Sequence, residues 1–254
     1  MNKIVAKVKE LTKIYKKHKF VGYREVIGVE NLNFEIYENE IFGLLGLNGS
    51  GKTTTIKLML GILYPDKGEI HILDNRMPNW KINNYIGYLP ELVNFNKDFT
   101  GLELLKFYSN LCGGVSKKRL YEVIDFVKLS ESINRKVKEY SKGMIQRLGL
   151  AQAIIHNPKF LIFDEPTSGL DPLGIKEIRD FILELKSQGK TIFFSSHLIS
   201  ELEKICDRVA IIHNGKIVKI VESKDWQSTS LEEIFIGSIQ IKTIKTVSIP
   251  QIIE

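Results

Sequence analysis

The chain has 254 residues, 43% of them apolar and 26% charged, with a net charge of +6. That balance describes an ordinary soluble globular chain with apolar material for one large domain or two small ones, and it excludes disorder, collagen and coiled coil. Charge or glycine interrupts every apolar run short of the ~18 residues a membrane span needs, and the lysine-studded start MNKIVAKVKELTK builds no signal-peptide core. The expected location is cytoplasmic. Cys112 and Cys206 are too few for a disulfide framework and lack metal-site spacing, so they are expected to be plain buried or half-buried thiols.

The charge is uneven. Residues 1–25 hold Lys3, Lys7, Lys9, Lys13, Lys16, Lys17, Lys19 and Arg24 against Glu10 and Glu25, which accounts for the whole excess. Such a segment can attract nucleic acid, anionic lipid or a polyphosphate, or it can be a solvated strand-and-loop face. Charge alone does not decide between them.

The first strong signal is EIFGLLGLNGSGKTTTIKLML over residues 40–60. Ile41 to Leu45 reads as a strand covered on both faces, and it runs into Gly46-Leu47-Asn48-Gly49-Ser50-Gly51-Lys52-Thr53, the pattern G-x-x-x-x-G-K-T. Glycines let the backbone wrap phosphate oxygens with inward N–H groups, Lys52 brings a point charge to the terminal phosphates, and Thr53 offers a hydroxyl to Mg²⁺. Helical spacing after Lys52 aims a helix N-terminus at the same anion. The chain has no Asn-Lys-x-Asp, which argues against guanine specificity.

Pro65-Asp66-Lys67-Gly68 predicts a turn into an alternating strand, Glu69 to Leu73, and Asp74-Asn75 turns again. From about residue 98 the spacing becomes helical. Thr100 and Glu103 form a capping box ahead of Leu102, Leu105 and Tyr108, and Leu120, Val123, Ile124 and Val127 make a second stripe. Residues 98–156 read as a helical insertion whose last helix begins at Ser141 and stops before Asn157-Pro158.

Lys159 to Pro166 is an apolar strand that delivers Asp164 and Glu165 at its C-terminal end, the edge where parallel sheets bind ligands. Two acids there could be a solvated turn. Placed 112 residues after Lys52 of a phosphate loop, Asp164 suits Mg²⁺ and Glu165 suits orienting and deprotonating water. Asp171-Pro172 opens another helix, with Ile175, Ile178, Ile182 and Leu185 on one face and Gly189 at its end. The strand Thr191 to Phe194 ends in Ser195-Ser196-His197, which brings an imidazole to the same edge, within reach of a γ-phosphate and the water. Arg208 to Val218 is a hairpin turning at Asn214-Gly215, so part of the sheet is antiparallel. In the tail, Ile239 and Ile241 flank Gln240 as in an edge strand, or the segment is a loose extension.

Taken in order, these motifs resemble the nucleotide-binding subunit of ATP-binding-cassette (ABC) transporters over essentially residues 3 to 236. The match lies in the phosphate loop (Walker A), in Tyr140-Ser141-Lys142-Gly143-Met144 with Gln146-Arg147 as the signature, and in Leu161 to Pro166 as Walker B. Ser168-Gly169-Leu170-Asp171 is similar to the family's D-loop and Ser195-Ser196-His197 to its switch histidine. Ile86 to Glu91 and Leu231 to Phe235 most resemble the bacterial drug, bacteriocin and antibiotic export branch.

The resemblance implies an α/β fold: a P-loop NTPase core with a mostly parallel sheet, an antiparallel β subdomain, and a helical subdomain (98–156) inserted between phosphate loop and Walker B strand. The ATP-binding domain would span 1–236, leaving 237–254 as a tail without an assigned role. The implied cofactors are ATP and Mg²⁺. Nucleotide contacts would come from Tyr15 on adenine, from Gly46, Leu47, Asn48, Gly49, Ser50, Gly51, Lys52, Thr53 and Thr54, and, in a partner's pocket, from Ser141 and Gly143. Thr53, Asp164 and Glu91 would face the metal, with Glu165 and His197 catalytic. Tyr23 is the alternative to Tyr15 because the segment from Lys16 to Glu25 is longer than usual.

Two copies would sandwich two ATP molecules head to tail, as a homodimer or heterodimer, and export would need a separate multi-span membrane permease gripping the groove near Tyr88 to Thr100. The chain would then sit peripherally on the inner face of the cell membrane. Two departures stand out: Lys142 and Met144 replace a glycine and a glutamine of the signature, and Glu91 replaces the usual glutamine, where it can meet Mg²⁺ or form a salt bridge on its loop. The alternative is a soluble ATPase of the same superfamily acting on nucleic acid or the ribosome. Only 89 residues separate Lys52 from Ser141, too few for the coiled coil of the repair proteins, and there is one cassette where the ribosome-bound type carries two. No nucleic-acid partner is expected. Glu165 and His197 also argue against a regulator without turnover.

Overall fold

The structure, a computed structural model, describes residues 3–18 and 22–246. β1 (Ile4–His18) and β2 (Tyr23–Tyr37) form a long antiparallel ribbon, and β3 (Ile41–Leu45) leads through the phosphate loop into α1 (Lys52–Met59). β4 (Lys67–Ile72) and β5 (Asn75–Arg76) complete a four-stranded antiparallel sheet ordered β2-β1-β4-β5. β6 (Ile86–Leu89) precedes three helices, α2 (Gly101–Leu111), α3 (Lys117–Phe126) and α4 (Lys142–Ile154). Then come β7 (Phe160–Asp164), α5 (Pro172–Ser187), β8 (Thr191–Ser196), α6 (Ile199–Ile205), β9 (Arg208–His213), β10 (Lys216–Glu222) and α7 (Leu231–Thr246).

The second sheet is ordered β10-β9-β3-β8-β7-β6 and is parallel except for the β9–β10 hairpin. Side chains alternate across a strand, and here both faces are covered, so the central strands read as unbroken apolar runs. Leu161, Phe163, Ile192 and Phe194 face the helices α2 to α7. Phe160, Ile162, Phe193 and Phe42 face α1 and the antiparallel sheet. Phe34 of that sheet stacks on Phe42 and Phe193 with ring centroids 5.5 and 6.1 Å apart, joining the two sheets.

Local chemistry starts and stops the elements. Thr100 and Glu103 close the expected capping box on α2. Ser141 Oγ accepts from the Met144 N–H at the start of α4, and Asp171 Oδ1 accepts from the Gly174 N–H at the start of α5, with Pro172 in its first turn. Asn214 and Gly215 both take positive φ, 48° and 75°, which the two-residue hairpin requires. Cys112 and Cys206 are free thiols, Cys206 buried.

One expectation needs revision. The tail is not an edge strand. α7 runs through the boundary drawn at Ile236, because Leu231, Phe235 and Ile239, spaced by four, pack one stripe onto the core. Residues 247–254 lie outside the described residues. The basic N-terminal segment is partly neutralised across strands: Lys3, Lys7 and Lys13 pair with Glu38, Glu35 and Asp66. Among the described residues no helix is long and apolar enough to cross a membrane.

Candidate nucleotide site

The site is assembled at one edge of the parallel sheet. Register aligns Leu45 with Ser196 and Ser195 with Asp164, so β3, β8 and β7 release their chains side by side. The loop after β3 turns into α1 at Gly51, whose φ of 112° admits glycine readily and an L side chain only with strain. The hairpin turn braces this loop from behind, the Gly215 N–H donating to Ser50 O at 2.9 Å.

Lys52 is buried at the loop's centre. Its Nζ donates to Gly46 O at 2.7 Å and Leu47 O at 3.3 Å, and pairs with Glu165 Oε1 at 3.1 Å. Glu165 has a left-handed backbone, φ 47°, unusual for a branched-free but bulky acid. Its N–H is held by the Ser195 carbonyl and by Ser195 Oγ, each at 3.1 Å. Glu165 Oε2 accepts from the His197 N–H at 3.3 Å and lies 2.8 Å from His197 Nδ1. The carboxylate therefore bridges Lys52 and His197.

Asp164 is 2% exposed, and its Oδ1 accepts from Ser195 Oγ at 2.7 Å. Burial pushes its carboxyl above the usual range; hydrogen bonds from Ser195 and Thr53 pull back, while Glu165 and Glu91 push the same way as burial. Burial, with Asp164 and Glu91, raises the Tyr88 phenol to about 12. A buried carboxylate among other acids is a place for a cation. Among the described residues no cluster of three or more His, Cys, Asp or Glu could hold a metal unaided. Mg²⁺, however, commonly takes one or two carboxylates, a hydroxyl, waters and the phosphates themselves, and Asp164 with the neighbouring Thr53 hydroxyl fits that donor set.

A cleft of about 550 Å³ opens in front of these groups, lined by Tyr15, Gly28, Asn48, Gly49, Gly51, Lys52, Thr53, Thr54, Glu91 and Glu165 among others. Tyr15 lies against Gly28, where a Cβ would stand 2.6 Å from its ring, and its hydroxyl is 3.3 Å from Thr54 Oγ1. Tyr23 is instead exposed on the ribbon, with Lys16 Nζ 4.9 Å from its ring centroid. Glu91 reaches the cleft and accepts from Ser168 Oγ at 3.4 Å. Ser141 and Gly143 are not among the residues lining the cleft; they stand at the start of α4, where Ser141 is exposed and a Cβ on Gly143 would meet only Ser141 Oγ, at 3.9 Å.

Ser195 and Gln146 lie within the motifs of the sequence, yet no role in holding the site together is expected of either. Ser195 touches both acids, and Gln146 Nε2 donates to Pro166 O at 2.8 Å, tying α4 to the segment after β7. A hydroxyl ending an otherwise apolar, fully buried strand was the available signal for Ser195.

A phosphate loop feeding a helix, beside strand ends that carry an acid pair and a histidine, assigns the chain to the phosphate-loop NTPases. Comparison with known proteins narrows that class. The family profile described as ABC transporter matches residues 29–168. Over 200 residues the chain is 44% identical to the uncharacterized ABC transporter ATP-binding protein YhcH of Bacillus subtilis, covering 78% of this chain and 66% of YhcH. It is 41% identical over 218 residues to the bacitracin transport ATP-binding protein BcrA of Bacillus licheniformis, covering 85% and 69%. Among solved structures it resembles the dimeric post-hydrolysis state of the ATP-binding cassette MJ0796 bound to ADP and Pi, with a TM-score of 0.77, 25% identity, and 86% and 98% of the two chains covered. The chain belongs to the ABC transporter family. It spans just under two thirds of the length of YhcH.

Proposed function

We propose that this chain binds and hydrolyses ATP to energise export of a substrate through a separate membrane permease. The observation that carries the reading is the meeting of Lys52, Glu165 and His197 at the mouth of a cleft floored by the phosphate loop. Relatives named for ATP binding in transport, BcrA among them, support the transport assignment.

Lys52 and the N–H groups at the start of α1 compensate phosphate charge. Tyr15 offers an aromatic face to the adenine ring. Thr53, Asp164 and Glu91 would hold Mg²⁺, which when bound neutralises charge building on the phosphates. Glu165, already ordered by Ser195 and His197, accepts the proton of the attacking water, and His197 holds the γ-phosphate and that water in line. Ser141 and Gly143, which do not line the cleft of their own phosphate loop, serve the nucleotide of a second subunit; the dimeric state of MJ0796 supports pairing. ATP then joins two subunits more tightly than ADP does, and that difference drives the cycle. A permease would hold the chain against the inner face of the membrane. Purification of the chain with its native membranes, followed by identification of co-purifying multi-span proteins, tests the permease; recovery of RNA in their place would contradict it.

A further inference from the structure

The segment Glu165–Asp171, from the end of β7 to the cap of α5, is gripped by α4 at two points. Gln146 is buried and donates to the Pro166 carbonyl at 2.8 Å. One turn earlier, Lys142 lays its ammonium against Gly169, whose φ is +64°, so that a Cβ added there would run into Lys142 Nζ. Residues four apart share a helix face. The two side chains therefore meet the loop at two places three residues apart, Gln146 through a directed hydrogen bond to Pro166 and Lys142 by placing the end of its chain against Gly169. A third tie, from Ser168 Oγ to Glu91 Oε1, lies between them.

From this geometry we infer that Lys142 and Gln146 are positioning residues for Glu165: they lock the loop to the helix that Ser141 caps, so that displacement of this helix shifts Glu165 relative to Lys52. Neither side chain touches the reacting groups. Pro166 directly follows Glu165, and Glu165 already occupies a restricted left-handed backbone, so a pull at Pro166 O has little slack to absorb it. The lysine, standing where the family carries glycine, adds a contact at Gly169 that a glycine at 142 would lack, while the φ of +64° favours glycine at 169 in either case. The inference rests on Glu165 being the water-activating group, and its test is separable from the test of that role.

The test is a double-mutant cycle on Lys142→Gly and Gly169→Ala, with Gln146→Glu as an independent, nearly isosteric variant that removes the amide donor. Two readouts are taken: hydrogen exchange of the amides in residues 165–171 of the nucleotide-free chain, and kcat with KM for ATP. Gly169→Ala alone is expected to speed exchange and lower kcat about fivefold or more with KM nearly unchanged, and adding Lys142→Gly is expected to recover the part of that loss owed to the lysine contact while the part owed to backbone strain remains. The strain of alanine at positive φ is common to both backgrounds and cancels from the cycle. Gln146→Glu is expected to lower kcat similarly and speed exchange at the same amides. Additive effects of the two substitutions, or normal exchange and kcat in Gln146→Glu, would overturn the inference. Undiminished hydrolysis by Glu165→Gln would instead remove the role on which it depends.

Discussion

Lys52 Nζ lies 3.1 Å from Glu165 Oε1, and both side chains are only 6% exposed. Their charges compensate each other across a gap that the proposed chemistry needs: the cation for phosphate, the carboxylate for water. A buried pair of this kind stabilises little by itself, but removing one member strands the other.

Lys52→Ala should therefore act twice. It is expected to weaken ATP binding by about 2 kcal/mol, the scale of a charge-assisted hydrogen bond, and to destabilise the nucleotide-free chain by roughly 3 kcal/mol through the orphaned Glu165. Adding Glu165→Gln should restore much of the stability and none of the affinity. Calorimetric titration and thermal melts separate the two; unchanged affinity would refute the phosphate contact.

Asp164→Asn is expected to stabilise the magnesium-free chain at neutral pH by about 1 kcal/mol, as relief of a strained functional group commonly does, while abolishing hydrolysis. Burial holds the Asp164 carboxyl above its usual range. The folded state thus binds a proton more readily than the unfolded one, so the contribution is fully present below the unfolded value and is lost as pH rises through the folded value. The substitution should flatten that part of the stability profile in chelator; an identical profile would contradict the assignment.

Tyr15→Ala is expected to weaken ATP binding by about 1 kcal/mol, the middle of the range for a stacked aromatic pair, and Tyr23→Ala to leave it unchanged. The reverse order, read by titration with ATP, would transfer the adenine contact to Tyr23.

Ser195→Ala removes one hydrogen bond to Asp164 and one from the Glu165 N–H. A fall in kcat of about thirtyfold is expected, from about 1 kcal/mol for each of the two lost bonds, with KM for ATP little changed. Full activity in single-turnover assays would show that neither acid depends on this hydroxyl.

Much of this architecture is legible in local sequence because local physics decides it. Gly46 to Thr53, the Thr100–Glu103 box, Ser141 and Asp171 as caps, and Asn214-Gly215 all act within a few residues of themselves. Ser195 and Gln146 are different. Their partners lie 31 and 20 residues away, and only strand order and helix placement bring them together. α7 misleads for another reason: Ile239 and Ile241 alternate over three residues, whereas the decisive stripe through Leu231, Phe235 and Ile239 shows only at the period of a helix.

The most direct measurement is ATP turnover by Glu165→Gln beside the unaltered chain, in magnesium, with subunit pairing followed by light scattering. The account predicts ATP binding of nearly native affinity, turnover reduced by about a thousandfold, within the range for loss of a general base, and accumulation of ATP-bound pairs. Turnover within a few-fold of the unaltered chain, or failure to pair while ATP stays bound, would contradict it.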